Sequence, residues 1–234
     1  SLMKKHTKYN LATISIIFSY LTGINQNSDI MADKSIESWS IAEFRYYPSN
    51  KFRFGFEQQI RFNENITVFD RTFTELNGRY SFWKDFDFGL SYRYMFINDN
   101  KGQVKEIENH YRWDYSLSHE FRMASLKIDN RVKFQHRKEI REKSINCICE
   151  TRDYLRLKSE ITYKIKNWKY DPDFSFEIFL PADKREKKLH NRYRLTLGTD
   201  MKISKKQNLR FKFLFEQEIK DWNPKMVSIF QIKY

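Results

Sequence analysis

The sequence has no apolar run long enough to cross a bilayer as an α-helix. The longest largely apolar stretch, at residues 11–21 (LATISIIFSYL), has about half the length that a membrane-spanning helix needs. Charged residues make up 31% of the chain, which is too many for a bundle of membrane helices. The mean hydropathy of −0.76 would indicate a soluble protein. A chain that alternates apolar and polar residues gives a similar average, however, so periodicity decides the class.

Cysteine is also scarce. The chain has two, Cys147 and Cys149, and their spacing is strained for a bridge and supplies too few ligands for zinc. We interpret the pair as a candidate local disulfide, because it lies in an expected extracellular loop, where disulfides persist. His110 and His190 are expected at loop edges. No spacing of His, Cys and carboxylates indicates a metal site, and the sequence implies no cofactor.

Acidic residues are outnumbered by basic ones, 30 to 43, which gives a net charge of +13. A charge of this sign indicates nucleic-acid binding when the basic residues cluster in a patch or a tail. Here Arg and Lys recur at alternate positions within short segments and do not cluster. We therefore expect no nucleic-acid partner.

The N-terminus has the layout of a secretory signal peptide. Three lysines precede the apolar run at residues 11–21, and polar residues follow it. Small-residue sites at 21–23 and 30–32 both allow cleavage, so we expect a signal peptide at residues 1–23, with cleavage as late as residue 32 as the alternative. A buried N-terminal helix is the other interpretation. No cysteine lies near either site, which argues against a lipoprotein anchor.

The sequence does contain a two-residue alternation of apolar with polar or charged residues. In the last stretch, residues 225–234 (KMVSIFQIKY), Phe230, Ile232 and Tyr234 share one face and polar residues share the other. Ile229 interrupts the polar face. An aromatic residue at the end of a closing strand resembles the signal by which outer-membrane proteins are recognised for insertion. We expect these three outward residues to provide that signal.

The same alternation recurs along the chain. Residues 86–96 (FDFGLSYRYMF) carry an aromatic residue or leucine at every second position, and residues 209–219 (LRFKFLFEQEI) alternate in the same way with charged residues between. A helix would mix Phe with Arg and Asp on one face, so these segments are strands. A lipid-facing apolar row backed by a charged lumen row is typical of a transmembrane barrel. We therefore predict an all-β, antiparallel outer-membrane β-barrel that forms a single domain over residues 36–234.

The number of strands is the least defined part of this prediction. We count about eleven, whereas bacterial barrels close with even numbers. Either a weak strand lies between Gly23 and Ile36, which gives about twelve, or two short segments are not strands, which gives about ten; we favour twelve. The connections alternate short and long, as periplasmic turns and extracellular loops do, and this sets the orientation.

Several short motifs occur in a fixed order after Trp39. They are EQQIR at 57–61, LSYRY at 90–94, NRVKFQHR at 130–137, DYLRLK at 153–158, PDFSFEIF at 172–179 and NRYRLTLG at 191–198. Their order resembles a family of small outer-membrane β-barrels of unknown function that is common in Bacteroidota, and the likeness covers most of the chain after Trp39. The resemblance implies a barrel in the outer membrane of a Gram-negative bacterium and brings no activity with it.

The inward faces are rich in arginine and carboxylates. A lumen of about ten to twelve strands is narrow, so cross-strand pairs of arginine with carboxylates would largely fill it. We therefore expect a structural or assembly-accessory barrel with a filled lumen; a narrow, anion-leaning, porin-like pore is the alternative. The predicted lumen network comprises Arg53, Glu57, Arg61, Arg79, Arg93, Arg112, Arg131, Arg137, Arg156, Glu160, Glu177, Arg192, Arg194 and Glu216.

A third interpretation is a lipid-modifying enzyme with its site on the outer wall of the barrel. His119, Asn130, His136 and Ser159 have outward parity, and His136 lies across from Asp153 if the loop between them is symmetric. No nucleophile is evident beside that pair, so we predict no catalytic residues.

The expected partners follow from the location. They are outer-membrane lipid and lipopolysaccharide, the barrel-assembly machinery during insertion, and other outer-membrane proteins if the barrel belongs to a complex.

Overall fold

The computed structural model of the 234-residue chain describes residues 33–99, 106–140, 151–166, 168–182, 190–204, 206–220 and 223–234. Eleven strands form a closed all-β barrel in this part of the chain, which confirms the predicted fold class. None of the described residues belongs to a helix long and apolar enough to span a bilayer. The strands are β1 (Asp33–Tyr46), β2 (Phe52–Asn63), β3 (Val68–Trp83), β4 (Phe86–Asp99), β5 (Glu106–Met123), β6 (Leu126–Ile140), β7 (Thr151–Tyr163), β8 (Tyr170–Pro181), β9 (Asn191–Lys202), β10 (Asn208–Ile219) and β11 (Lys225–Lys233).

The barrel closes through a parallel pair of strands, whereas every pair of sequence neighbours is antiparallel. The β1–β11 ladder runs from Asp33 opposite Lys225 to Ile41 opposite Lys233. The first and last strands of an up-and-down barrel point the same way when the number of strands is odd, so their pairing must be parallel. The eleven strands of the described residues lie within the predicted range of ten to twelve and are one fewer than the favoured twelve. Residues 33–36, which we assigned to a separate weak strand, are the start of β1, and the rest of that segment lies outside the described residues.

The connections differ between the two ends of the barrel. At one end, which also carries the C-terminal Tyr234, β3 joins β4 through residues 84–85 and β5 joins β6 through residues 124–125. At the opposite end, β6 joins β7 through residues 141–150 and β8 joins β9 through residues 182–190. We call these the turn end and the loop end. The connections are short at the turn end and long at the loop end, as the sequence predicts for periplasmic turns and extracellular loops.

Alternate residues of each strand point to opposite sides of the wall. The outward positions carry exposed apolar side chains, such as Phe44 in β1 and Leu76 in β3, which are 67% and 57% exposed. The inward neighbour of Leu76, Glu75, is only 9% exposed although it is charged. The outside of the barrel is an apolar belt, and its inside contains buried charges. This is the reverse of a soluble protein, which has a polar surface and an apolar core. A bilayer would cover the belt, and the lumen must satisfy the charges.

The inner wall is apolar where the barrel closes. Trp39, Leu214, Val227 and Ile229 form a buried cluster in which no member is more than 6% exposed. Ile229 interrupts the polar face of the last strand in the sequence, and the structure gives the reason, since it belongs to this cluster beside the parallel seam. Trp39 is fixed at its polar end, because its Nε1 donates a hydrogen bond to Glu37 Oε2 at 2.9 Å.

Candidate functional site

The structure places all fourteen charged residues of the predicted network on the lumen side, at positions that alternate with the exposed apolar ones. They do not form one cluster. Arg53 and Arg79 lie toward the turn end, where Arg79 pairs with Asp87 at 3.2 Å. Arg137 lies at the loop end of β6. Most of the others meet near the middle of the barrel, where ion pairs join strands that are not neighbours.

Glu177 of β8 is the centre of one group of ion pairs. Its side chain is 4% exposed and accepts hydrogen bonds from Arg156 at 2.9 and 3.0 Å. Arg131 reaches it at 3.4 Å and Arg194 at 3.5 Å. Arg156 also donates to Gln135 Oε1 at 2.9 Å. One buried carboxylate thus contacts three guanidinium groups that come from β6, β7 and β9.

Glu75 and Asp114 hold a second group on the other side of the barrel. Arg93 Nε donates to Glu75 at 2.7 Å, and Arg112 reaches the same carboxylate at 3.4 Å. Arg112 also donates to Asp114 at 2.7 Å, and Lys133 lies 3.2 Å from Asp114. Charge-assisted bonds of this kind are among the stronger polar contacts in a protein. The group links β3, β4, β5 and β6.

The remaining mid-height pairs continue around the wall. Lys233 of β11 lies 2.7 Å from Glu57 of β2, and Glu57 lies 4.0 Å from Arg93. On the opposite side, Arg194 pairs with Glu216 of β10 as well as with Glu177. The network therefore draws on nearly every strand, which explains how so many charges are buried in one place.

Ion pairs also cross the lumen in the turn-end half. Lys212 of β10 lies 2.9 Å from Asp173 of β8 and 3.3 Å from Glu160 of β7, although three strand steps separate β10 from β7. Glu160 also pairs with Lys158 at 2.6 Å. A Cβ atom on Gly198 of β9 would lie 2.6 Å from Asp173 Oδ2, so this part of the wall has no room for a side chain. Ion pairs therefore occupy the part of the lumen beside β7 to β10 in this half.

The loop-end half of the lumen is different, because it contains a cavity of about 450 Å³. The charged side chains that line it are strongly unbalanced, with nine arginines and two lysines against three glutamates. Its cationic lining consists of Arg61, Arg71, Arg93, Arg112, Lys133, Arg137, Arg152, Arg156, Arg192, Arg194 and Lys225. Many of these groups are paired, but the cavity as a whole favours negative charge.

The sequence analysis missed the aromatic side chains in this cavity. Guanidinium groups lie over their faces: Arg93 is 3.4 Å from the ring centre of Phe73, and Arg156 is 4.4 Å from that of Phe179. These cation–π contacts add to the ion pairs that Arg93 forms with Glu75 and Arg156 with Glu177. Parity could have found Phe73 and Phe179, since each has the same parity as the charged residues two positions before or after it. The aromatic residues that line the cavity are Trp39, Phe73, Tyr154 and Phe179.

On the outer wall, the register pairs His136 of β6 with Asp153 of β7, as the sequence analysis anticipated. Nδ1 of His136 lies 2.7 Å from Oδ1 of Asp153, and both side chains are about one-third exposed or less. The ring of Tyr111 is 6.4 Å from the imidazole. Among the described residues no hydroxyl group hydrogen-bonds to His136, so the pair lacks the nucleophile of a triad.

The other three outward polar residues form a row across adjacent strands. His119 is paired with Asn130, and Asn130 with Ser159, beside an outer-wall cleft of about 440 Å³. Asn130 lies between the other two, so His119 and Ser159 are two strand spacings apart, roughly 10 Å. The described part of the chain contains no hydrogen bond among these three side chains. The row therefore does not form a relay from His119 to Ser159.

One histidine does not lie where the sequence analysis put it. His110 was expected at a loop edge, but it lies within β5, is 1% exposed and has Nε2 2.8 Å from Glu108 Oε2. The inward row of β5 continues to the loop end, which buries it. Across the described ranges, no group of three or more His, Cys, Asp or Glu side chains could hold a metal ion.

Two predictions concern parts of the chain that the structure does not describe. The candidate disulfide between Cys147 and Cys149 and the signal peptide at residues 1–23 both lie outside the described residues. They remain predictions.

Comparison with known proteins places the chain in a family. No curated protein matches the sequence. Among solved structures, the chain is similar to the crystal structure of the β-domain of the Bordetella autotransporter BrkA, with a TM-score of 0.48 and 11% identity over 80% of this chain and 83% of that one. The model of a family described as protein of unknown function (DUF2490) matches residues 36–224, which include most of β1 and all of β2 to β10. The chain therefore belongs to this family of unknown function.

Proposed function

We propose that the protein is an integral outer-membrane barrel with a closed lumen and a structural or assembly-accessory role. The observation that carries this proposal is the set of ion pairs that cross the interior, above all the 3.3 Å contact between Lys212 of β10 and Glu160 of β7. Glu177 gathers three arginines at mid-height in the same way. Side chains that meet across the lumen occupy the space that a water-filled pore needs.

The outer wall supports a location in the outer membrane. Its apolar belt suits the hydrocarbon of a bilayer, and an aromatic residue such as Trp83, 73% exposed at the turn end, suits the membrane interface. Lipid and lipopolysaccharide are the partners that this surface would contact. The orientation proposed from the connections puts the loop end outside the cell.

A conduction measurement distinguishes a barrel with a closed lumen from the main alternative, a narrow pore. We expect the purified, refolded protein to give no resolvable single-channel currents in planar bilayers, because ion pairs block the lumen. Folding should be verified beforehand by the shift in gel mobility between boiled and unboiled samples, and an open porin inserted under the same conditions serves as the control for detection.

The alternative is a narrow anion-leaning pore, which the excess of arginine in the loop-end cavity favours. In that case the folded protein would pass small anion-selective currents, and reversing the charge at Arg156 or Arg194 by substitution with glutamate would reduce the selectivity. Those two results together would overturn the proposal that the lumen is closed.

The C-terminal residues suit the proposed insertion signal. Phe230, Ile232 and Tyr234 all face outward and are about half exposed, at 52%, 49% and 52%. The backbone of Tyr234 is bonded to β1, since its N–H donates to Ile41 O at 2.9 Å and its carbonyl accepts from Glu43 N at 2.7 Å. The side chain is therefore free to be recognised while the backbone closes the barrel.

We expect Tyr234→Ala to lower the amount of folded barrel in the outer membrane of a Gram-negative host severalfold while refolding in vitro stays efficient, because the backbone bonds remain. The readout is the heat-modifiable fraction in isolated outer membranes. Trp83→Ala removes an exposed aromatic side chain at the same end and is the matched control. Equal losses in both variants would show that Tyr234 acts only as an interface anchor.

A further inference from the structure

The loop-end cavity contains an arginine without a counter-charge. Arg61 of β2 forms no ion pair with any described residue, and its only side-chain hydrogen bond is a long one, 3.5 Å, to Gln59 Oε1. Its Nε is buried without a partner. Asp70 pairs with Arg71 at 2.5 Å, and Glu37, which lines the same cavity, accepts a hydrogen bond from Trp39 and does not reach Arg61 at ion-pair distance. A guanidinium whose Nε is buried without a partner requires compensation.

The aromatic residues explain how Arg61 is held. Its guanidinium lies 3.6 Å from the ring centre of Trp39 and 5.3 Å from that of Phe73. Arg194, which comes from the opposite side of the barrel, lies 5.4 Å from the same Trp39 ring. Contact with an aromatic face holds a guanidinium without using its N–H groups. The cavity therefore presents donors that remain available to a ligand.

We propose that this cavity binds a phosphate-bearing ligand, with Arg61 as its principal contact. Arg61, Arg93 and Arg194 approach from β2, β4 and β9, which lie around the wall and not along one side of it. A phosphate offers several acceptor oxygens in a tetrahedral arrangement and can bond to arginines from different directions, whereas a carboxylate offers two in one plane. The volume of about 450 Å³ accommodates a small molecule or the head group of a phosphorylated lipid.

The aromatic lining limits the class of ligand further. Trp39, Phe73 and Phe179 give the cavity an apolar component beside its charge. A ligand with a ring or an apolar group next to its phosphate would use both. The site does not require the barrel to conduct, so its binding test is independent of the conduction test of the proposed function.

The experiment measures binding of inorganic pyrophosphate by calorimetry to the full chain, refolded in a non-ionic detergent that contains no phosphate. We expect saturable binding that weakens as salt is raised. Arg61→Gln should reduce the affinity about tenfold or more, the range expected when one charge-assisted contact is lost. Arg61→Lys keeps the charge but not the planar guanidinium, so its affinity should lie between those of the wild type and Arg61→Gln.

Arg53→Gln is the matched control. Arg53 is also an inward arginine of β2 that forms no ion pair with a described carboxylate, but it lies toward the turn end and does not line the cavity. Its substitution should change the affinity less than twofold. No saturable binding to the folded wild type, or equal losses in Arg61→Gln and Arg53→Gln, would overturn the proposal. Retention of heat-modifiable mobility checks that each variant is folded.

A competition experiment identifies the source of the phosphate. Dispersed diphosphorylated lipid A is added before the pyrophosphate titration. Displacement of pyrophosphate by the lipid points to a phosphorylated head group as the occupant, whereas unchanged pyrophosphate binding points to a soluble phosphate compound.

Discussion

Replacing Glu177 by glutamine should destabilise the folded barrel by about 3–5 kcal/mol, the cost of leaving a buried charge without its partner. The carboxylate contacts Arg131, Arg156 and Arg194, and its side chain is 4% exposed. Glutamine has nearly the same shape, so the loss is one of charge and not of packing. The free energy of unfolding is to be measured by urea titration of protein refolded into lipid vesicles.

The matched control is Asp87→Asn, which also removes one carboxylate charge from an arginine pair in the lumen. The side chains of Arg79 and Asp87 are 30% and 26% exposed, and the pair lies toward the turn end, where water screens it. Its loss should cost no more than about 1 kcal/mol. If both variants lost the same small amount, Glu177 would not be the centre of a desolvated network, and the closed-lumen proposal would lose one of its two supports.

Placing arginine at Leu157 should cost about 2–4 kcal/mol, because the residue lies at the middle of β7 on the outer wall, which faces hydrocarbon in the proposed membrane location. Leu157 is 38% exposed on the outer wall and is flanked by the outward residues Leu155 and Ser159. A cation there has no counter-ion within the membrane and must extend toward an interface. The measurement is again unfolding from lipid vesicles.

Lys158→Arg is the control for face assignment, since it puts the same side chain one residue further along. Lys158 points into the lumen and pairs with Glu160 at 2.6 Å, and arginine can keep that pair. We expect a change below about 1 kcal/mol. A one-residue error in the register of β7 would put Leu157 in the lumen, because it exchanges the two faces of the strand. Leu157→Arg would then cost as little as Lys158→Arg.

The faces of the strands are predictable because the signal is local. In β10 and β11 the apolar and charged rows can be read from consecutive residues, and the structure puts Phe213 and Phe230 outside and Lys212 and Lys233 inside. The pairing of His136 with Asp153 was also anticipated, because it needs only a symmetric connection between adjacent strands. Both inferences use neighbours along the chain.

Other features of the lumen depend on residues that are distant in sequence. The contact between Lys212 and Glu160 depends on the curvature and shear of the closed sheet. No single segment of the sequence specifies these two properties. The same holds for His110, whose burial follows from how far the β4–β5 and β5–β6 ladders extend toward the loop end. Parity shows that such residues point inward, but it does not show which of them touch.

The sequence by itself determined that this chain is a membrane-type β-barrel and which side of each strand faces inward, because a period of two residues is written directly into the order of side chains. The tertiary structure decided that eleven strands close through a parallel β1–β11 seam. It also decided that a positively charged cavity with aromatic walls remains at the loop end and that Arg61 is left there without a carboxylate. These outcomes depend on closure of the whole ring, since closure fixes which strands are neighbours and how far the lumen side chains must reach.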